Sequence, residues 1–132
     1  MLARLLHRNS LFEDTERLGR WGEKQTENFL KRKGLKILTK NYSCKTGEID
    51  LVMVDNDRTL VFVEVKTRAD ESFGPAEHVI TYGKQIKMAR TARYFLATNN
   101  IADRPYRFDV VTVIVGRDSK TQIRHYENAF IP

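Results

Sequence analysis

The sequence predicts an α/β protein with a central mixed β-sheet flanked by α-helices. Two segments carry apolar residues at helical spacing, three runs are rich in valine, isoleucine, leucine and phenylalanine, and two shorter runs are weaker strand candidates. In chain order these elements are α-β-β-β-α-β-β, an order typical of layered α/β folds. The 132 residues contain no repeat and no linker rich in proline or glycine, so we expect a single domain.

The first helix is expected over residues 14–33. Its first turn is acidic and its last turn is basic, which is the charge order that the helix dipole favours. Gly34 then supplies the left-handed residue that commonly ends a helix. Gly19 and Gly22 each cost roughly 1 kcal/mol of helix stability relative to alanine. We therefore expect another element to pack close to the helix backbone at these two glycines.

The next three elements are predicted strands, over residues 35–44, 48–54 and 60–68. The polar turn between the second and third strands makes them a β-hairpin. A loop over residues 69–83 leads to a second helix over 84–98, and strands over 106–115 and 121–126 complete the fold. Four basic residues of the second helix lie outside its apolar stripe and are expected to form a basic outer surface: Lys84, Lys87, Arg90 and Arg93.

Composition narrows the function only slightly. Lysine and arginine number 23 against 17 aspartates and glutamates, and the net charge of +6 weakly favours a polyanionic partner. Cys44 is the single cysteine, so a disulfide framework and a multi-cysteine zinc site are excluded. The three histidines have no ligand spacing and are interpreted as surface or core residues. No apolar run approaches the ~18 residues that span a membrane, so we expect a cytoplasmic protein with no membrane partner.

The residues that indicate chemistry are carboxylates within apolar strands, where an unpaired charge is costly. A three-residue loop at 56–58 places residue i of the hairpin opposite residue 114 − i. Asp50 then faces Glu64, and Glu48 faces Lys66, with opposed Cβ atoms ~5 Å apart. A two-residue loop would instead put Asp50 and Glu64 on opposite faces of the sheet, so the prediction depends on the register.

Facing carboxylates repel each other unless a cation bridges them. One or two carboxylates with waters are the usual protein ligands of Mg²⁺, and Mn²⁺ is the alternative ion. Such an ion activates water and stabilises charge on a phosphoryl group, while Lys66 would orient the water. The alternative is that these residues form ordinary cross-strand ion pairs, with Glu48 supporting Lys66. The spacing of Asp50, thirteen residues and Glu64-x-Lys66 is far more specific than a lone Glu-x-Lys.

Asp50 with Glu64-Val65-Lys66 resembles the PD-(D/E)xK signature of restriction-endonuclease-like nucleases. More closely, the chain resembles the YraN-like family, uncharacterised bacterial proteins expected to be endonucleases distantly similar to Holliday-junction resolvases. The matching segments include GEIDL at 47–51, VFVEVKTR at 61–68 and RFDVV at 107–111. This resemblance implies a restriction-endonuclease-like fold in residues 1–132, with about 1–14 as an N-terminal extension.

The resemblance also implies roles for single residues. Asp50 and Glu64 would be metal ligands with the Val65 carbonyl as a third, and Lys66 would be the catalytic lysine. Glu23 matches a helix glutamate placed near the metal. Substrate contacts are expected at Gln85, Lys84, Lys87 and Arg68.

The predicted function is therefore a metal-dependent endonuclease that hydrolyses phosphodiester bonds in DNA, with branched or structured DNA as a candidate substrate. A homodimer is expected by analogy. Two alternatives remain at this point. One is a non-catalytic nucleic-acid-binding module with a nuclease-like fold, and the other is a structural or interaction protein. Two further expectations concern structure alone: Asp109 is expected to pair with a helix arginine, and Trp21 is expected to be a core residue.

Overall fold

Five strands form one sheet with a helix on each face in the computed structural model of the chain. The structure describes residues 15–70, 80–101, 103–116 and 120–131. In chain order the elements are α1 (Thr15–Arg32), β1 (Lys36–Cys44), β2 (Gly47–Val54), β3 (Leu60–Arg68), α2 (Tyr82–Thr98), β4 (Tyr106–Ile114) and β5 (Gln122–Tyr126). This order confirms the α-β-β-β-α-β-β prediction.

The sheet is mixed, as the sequence predicts. Its strands lie side by side in chain order, β1-β2-β3-β4-β5. Strands β3 and β4 are parallel and are connected through α2, whereas the other neighbours are antiparallel. A parallel pair needs a crossover of this kind, because the chain must return to the same end of the sheet. Most of the preceding loop, residues 71–79, lies outside the described residues.

Helix α1 ends at the glycine that the sequence singles out. Gly34 has φ 99°, and its N–H donates to the Lys31 carbonyl at 3.0 Å while the Leu35 N–H donates to the Leu30 carbonyl at 3.1 Å. This pair of bonds is a Schellman motif, which satisfies carbonyls left over at a helix end. Leu30 and Leu35 are both buried in the same cluster, so the termination also directs the chain into β1.

Helix α2 begins two residues before the expected position. The Thr81 hydroxyl accepts a hydrogen bond from the Lys84 N–H at 3.1 Å, which caps the helix and lets Tyr82 become its first residue. Threonine at this position satisfies one of the backbone donors that have no partner within the helix.

Each helix buries one face against the sheet, so the molecule has two apolar layers. The layer on the α2 side contains Ile49, Val52, Leu60, Phe62, Met88, Ala89, Ala92, Phe95 and Phe108. The layer on the α1 side contains Leu30, Leu35, Leu51, Met53, Val61, Val63, Val111 and Val113. Trp21 packs against the second layer, so its interpretation as a core residue is confirmed.

Only one of the two helix glycines lies against another element. A Cβ atom on Gly22 would be 1.8 Å from the Thr67 hydroxyl of β3, whereas a Cβ on Gly19 would meet no atom within 4 Å. The expected close approach is confirmed at Gly22 and wrong at Gly19. Gly22 therefore sets how closely α1 packs on the end of β3, one residue beyond Lys66.

Asp109 does not pair with a helix arginine, so that expectation is wrong. Its carboxylate accepts hydrogen bonds from Arg107 Nε at 3.0 Å and from the Asn128 N–H at 2.9 Å, and it lies 2.7 Å from His125 Nε2. Arg107 is two residues away on the same strand face, so it reaches Asp109 without help from a helix. Lys33 Nζ lies 2.9 Å from His125 Nδ1, which connects the end of α1 to β4 and β5.

Candidate functional site

The hairpin register is the one that a three-residue loop predicts. Strands β2 and β3 pair from Leu51 with Val63 to Val54 with Leu60, and each pair of numbers sums to 114. The Asp55 N–H donates to the Thr59 carbonyl at 2.9 Å and closes the loop at 56–58. Arg58, the last loop residue, has φ 73°, as three-residue hairpin loops often require.

The regular ladder stops just before the two predicted ligands. Instead of a backbone pair, the Asp50 side chain accepts the Val65 N–H at its Oδ2 atom, 2.7 Å away. The Glu64 carboxyl lies close enough for its negative charge to raise the pKa of Asp50. The structure thus brings Asp50 and Glu64 together where the register predicts.

Burial and the nearby negative charge of Glu64 make Asp50 hard to ionise. Burial of the Asp50 carboxyl, followed by the negative charge of Glu64, raises the pKa of Asp50 to about 7, although the bond from the Val65 N–H acts in the opposite direction. Glu64 is only 5% exposed. A cation between the two carboxylates would relieve both effects.

Lys84 supplies a positive charge at this position. Its Nζ atom lies 3.3 Å from Glu64 Oε2, and its side chain is 38% exposed. The first turn of α2 therefore faces the end of β3, and the assignment of Lys84 to an outer surface is wrong. Lys87, Arg90 and Arg93 are exposed, so the basic outer surface is confirmed for these three residues.

The predicted ion pair between Glu48 and Lys66 is not formed among the described residues. The β2–β3 ladder ends at Leu51, and Glu48 is opposite Ser43 of β1 instead. Glu48 is exposed, whereas Lys66 is half-buried on the strand face it shares with Glu64. The structure gives Lys66 no hydrogen bond or ion pair with another described residue, so its ammonium keeps its capacity to donate.

Glu23 reaches the acidic group from α1. Burial, followed by the charge of Asp50, raises its pKa, and Glu48 adds a smaller effect in the same direction. A hydrogen bond with the Asn41 side chain partly opposes this rise. Glu23, Asn41 and Glu48 line a surface cleft of about 420 Å³. The other residues that line it are Thr15, Glu16, Gly19 and Arg20.

The donor set suits some metals better than others. Within the described residues, no group of three or more His, Cys, Asp or Glu side chains is arranged to hold a metal ion. The side-chain ligands would thus be Asp50 and Glu64 alone. The Val65 carbonyl points to the same side of β3 as the N–H that Asp50 accepts, since the two groups of a paired strand residue do so. Two carboxylates, one carbonyl and waters fit Mg²⁺ or Mn²⁺, but not zinc.

Within the described residues, the other predicted substrate residues form no hydrogen bond or ion pair with Asp50 or Glu64. Gln85 lines a separate cleft of about 260 Å³ together with Val110, which is opposite Glu64 on β4. The Arg68 side chain donates from Nη1 to the Thr67 carbonyl at 3.0 Å. The substrate roles of Gln85, Lys84, Lys87 and Arg68 stay predictions.

Two features of the site had no sequence assignment. Asn41 has φ 51° within β1, a conformation that asparagine tolerates better than most residues. Glu27 is 3% exposed, and its carboxylate is 2.6 Å from Lys31 Nζ and 3.2 Å from Lys40 Nζ. Its spacing four residues before Lys31 was a usable signal for that ion pair.

Fold and site together define an α/β protein in which a hairpin presents two carboxylates beside the N-terminus of a helix. A model of the uncharacterised protein family UPF0102 matches residues 22–113. The chain belongs to this family, which agrees with the resemblance inferred from its motifs. The matched region contains Glu23, Asp50, Glu64 and Lys66.

Two similar proteins carry the same family name. A UPF0102 protein of Pelobacter propionicus is 39% identical over 118 residues, covering 89% of this chain and 84% of the relative. A UPF0102 protein of Nitrosomonas eutropha is 43% identical over 116 residues, covering 88% and 95% respectively. In the part of the chain that the structure describes, no helix has the length and apolarity needed to cross a membrane.

Proposed function

We propose that this protein is a metal-dependent endonuclease that hydrolyses phosphodiester bonds in DNA, including branched or structured DNA. The observation that carries this proposal is the pair of acidic side chains at the end of a hairpin. Asp50 accepts the Val65 N–H at 2.7 Å, and the negative charge of the neighbouring Glu64 helps to raise the pKa of Asp50. Lys66 follows two residues later on the same strand face. Two acids and a lysine in this arrangement are suited to hydrolysis at a phosphate.

Asp50, Glu64 and the Val65 carbonyl would hold Mg²⁺ or Mn²⁺. When bound, the ion would supply an activated water and stabilise charge on the phosphate. The ammonium of Lys66 would orient the attacking water or donate to a phosphate oxygen. Glu23 lies near enough to Asp50 for the Asp50 charge to raise the pKa of Glu23, and Glu23 would act through a water molecule.

The exposed basic residues of α2 would hold the nucleic acid. Lys87, Arg90 and Arg93 recur every three residues along one side of the helix and can neutralise consecutive backbone phosphates. Such contacts position a strand without reading its sequence. We therefore expect the shape of the DNA, rather than its base sequence, to determine where this protein cuts.

Cleavage assays test the proposal directly. Purified protein is incubated with linear duplex, single-stranded and four-way-junction DNA in the presence of Mg²⁺ or Mn²⁺. We expect cleavage of at least one substrate, lost on addition of EDTA. Asp50→Asn and Lys66→Met should each reduce the rate by at least ~100-fold, the scale seen when charge stabilisation is removed.

Asp57→Asn and Lys36→Met are matched controls. Both residues are exposed and lie at the far end of the hairpin or on β1, so neither change should affect cleavage. Absence of cleavage on every substrate, or full activity in both site variants, would reject the proposal. Salt-sensitive binding without cleavage would instead indicate a non-catalytic nucleic-acid-binding module.

A further inference from the structure

We infer that Lys84 is the resident counter-cation of the carboxylate pair, and that its ammonium competes with a divalent metal ion for Glu64. This inference rests on the metal site of the proposed function and assigns a positioning role to a residue outside the Asp50, Glu64 and Lys66 motif.

The contact is built into the start of α2. The Lys84 N–H donates to the Thr81 hydroxyl at 3.1 Å, so the helix cap holds its backbone in place. Its Nζ atom lies 3.3 Å from Glu64 Oε2. Among the described residues, Lys84 is the one cation within ion-pair distance of either carboxylate. The positive charge thus lies beside one of the two carboxylates that would hold a metal ion.

The Lys84 ammonium and a divalent metal ion cannot both contact the Glu64 carboxylate without an electrostatic cost. An ammonium a few ångströms from a divalent cation is repelled strongly, because the site is partly shielded from water. Binding of the metal would therefore break the contact between Glu64 and Lys84 as the bond from the metal to oxygen forms. No covalent bond is made or broken. The positive charge of Lys84 beside Glu64 would be replaced by that of the metal ion.

Lys84 is free to move once it is displaced. Its side chain is 38% exposed while that of Glu64 is 7% exposed, so the lysine and not the glutamate can reach solvent. Its long flexible stem allows the ammonium to turn towards a phosphate next to the metal. Metal and nucleic acid should then each strengthen the binding of the other, because the phosphate gives Lys84 a new partner.

Isothermal titration calorimetry with Mg²⁺ and Mn²⁺ alone, without nucleic acid, tests this competition. Removing the ammonium with Lys84→Met should tighten metal binding about threefold to tenfold. Lys84→Arg retains the charge and should stay close to the wild-type affinity. Lys36→Met removes one charge from an exposed position at the far end of the hairpin and serves as the control, with no change expected.

A second measurement follows Lys84 in the wild-type protein itself and uses a variant only to assign its signal. Lysines are dimethylated with carbon-13 formaldehyde, and the Lys84 signal is assigned from the spectrum of Lys84→Arg. Addition of Mg²⁺ should shift the Lys84 signal as the ammonium leaves Glu64.

The outcomes separate this inference from the proposed function. If the wild-type protein binds metal but Lys84→Met binds it no more tightly, or the Lys84 signal stays in place, the competition does not exist and the nuclease proposal stands. If the wild-type protein binds neither ion, both the competition and the metal-dependent function are overturned.

Discussion

At the scale of single residues, Asp50 combines two environments that rarely coexist. Its carboxyl accepts a backbone N–H, which favours the ionised form, but burial and the nearby Glu64 favour the protonated form and prevail. A carboxyl with a pKa of about 7 is sensitive to any added cation, which is typical of functional sites.

This raised pKa predicts a pH-dependent stability. The folded protein holds the Asp50 proton up to about pH 7, whereas the unfolded chain releases it near 3.8. Between these values the folded state binds more protons, so the free energy of unfolding should fall as pH rises, and the contribution is complete only below about pH 4. Because the site is open to solvent on one side, we expect a loss on the order of 2 kcal/mol.

Urea unfolding at pH 5 and pH 7.5 measures this effect. The fall in the free energy of unfolding between the two pH values should be smaller in Asp50→Asn than in wild-type protein. Saturating Mg²⁺ should also make this fall smaller in the wild-type protein. Equal falls in wild-type protein and variant would show that Asp50 ionises normally.

Asp109 is the opposite case, a fully buried carboxylate that stays charged. Burial raises its pKa, but hydrogen bonds from His125, Arg107 and the Asn128 backbone together lower it further than burial raises it. Asp109→Asn would remove the negative charge that Arg107 and His125 share, although Arg107 would keep its contact with Asp55. We expect a loss of about 3 kcal/mol in the free energy of unfolding.

Denaturant titration at neutral pH measures this loss. Glu16→Gln removes one partner of an exposed pair with Arg20 and should cost less than about 0.5 kcal/mol. Similar losses in the two variants would contradict the structural importance of the buried pair.

At the scale of elements, the hairpin was predictable because its register depends on local features. Strand alternation and the length of one polar loop together determine which residues face each other, and these are visible in the residues from Asp55 to Thr59. The same reasoning failed for Glu48 and Lys66, since it extended a regular ladder beyond Leu51. Asp50 ends that ladder by using its side chain as the acceptor for Val65.

The packing of α1 on β3 predicts opposite effects at two glycines. Gly22→Ala places a methyl group against Thr67 and should destabilise the protein by about 2 kcal/mol, because the helix must move away from the strand. Gly19→Ala meets open space and should stabilise the helix by up to about 1 kcal/mol.

Thermal and urea unfolding of the two variants distinguish these effects. If Gly22→Ala proved as stable as Gly19→Ala, the close contact between α1 and β3 would not exist. Since Thr67 follows Lys66 directly, Gly22→Ala should also lower the rate of DNA cleavage more than Gly19→Ala does.

At the scale of the whole molecule, charge is divided between two regions. The acidic residues Glu23, Asp50 and Glu64 gather near the end of the hairpin, while Lys87, Arg90 and Arg93 are exposed along α2. A net charge of +6 therefore describes neither region. This separation suits a polyanion that lies along the helix with one phosphate at the acidic centre.

The basic face predicts a specific salt dependence of DNA binding. Replacing Lys87, Arg90 and Arg93 with glutamine should make the plot of log affinity against log salt concentration less steep by about 2. Each phosphate contact contributes about 0.7–0.9 to the magnitude of this negative slope. Fluorescence anisotropy in EDTA measures binding separately from cleavage. A slope that the triple substitution leaves unchanged would show that DNA binds elsewhere.

The sequence by itself determined the order of the elements, the hairpin register and the position of Asp50 opposite Glu64, because periodicity and loop length act over a few residues. Only the tertiary structure decided that Lys84 turns towards Glu64, that Glu23 lies near Asp50 and that His125 binds Asp109. These contacts depend on which face of each helix packs against the sheet and on the position of the helix along the strands. That choice is made by the packing of two apolar layers and not by any local pattern.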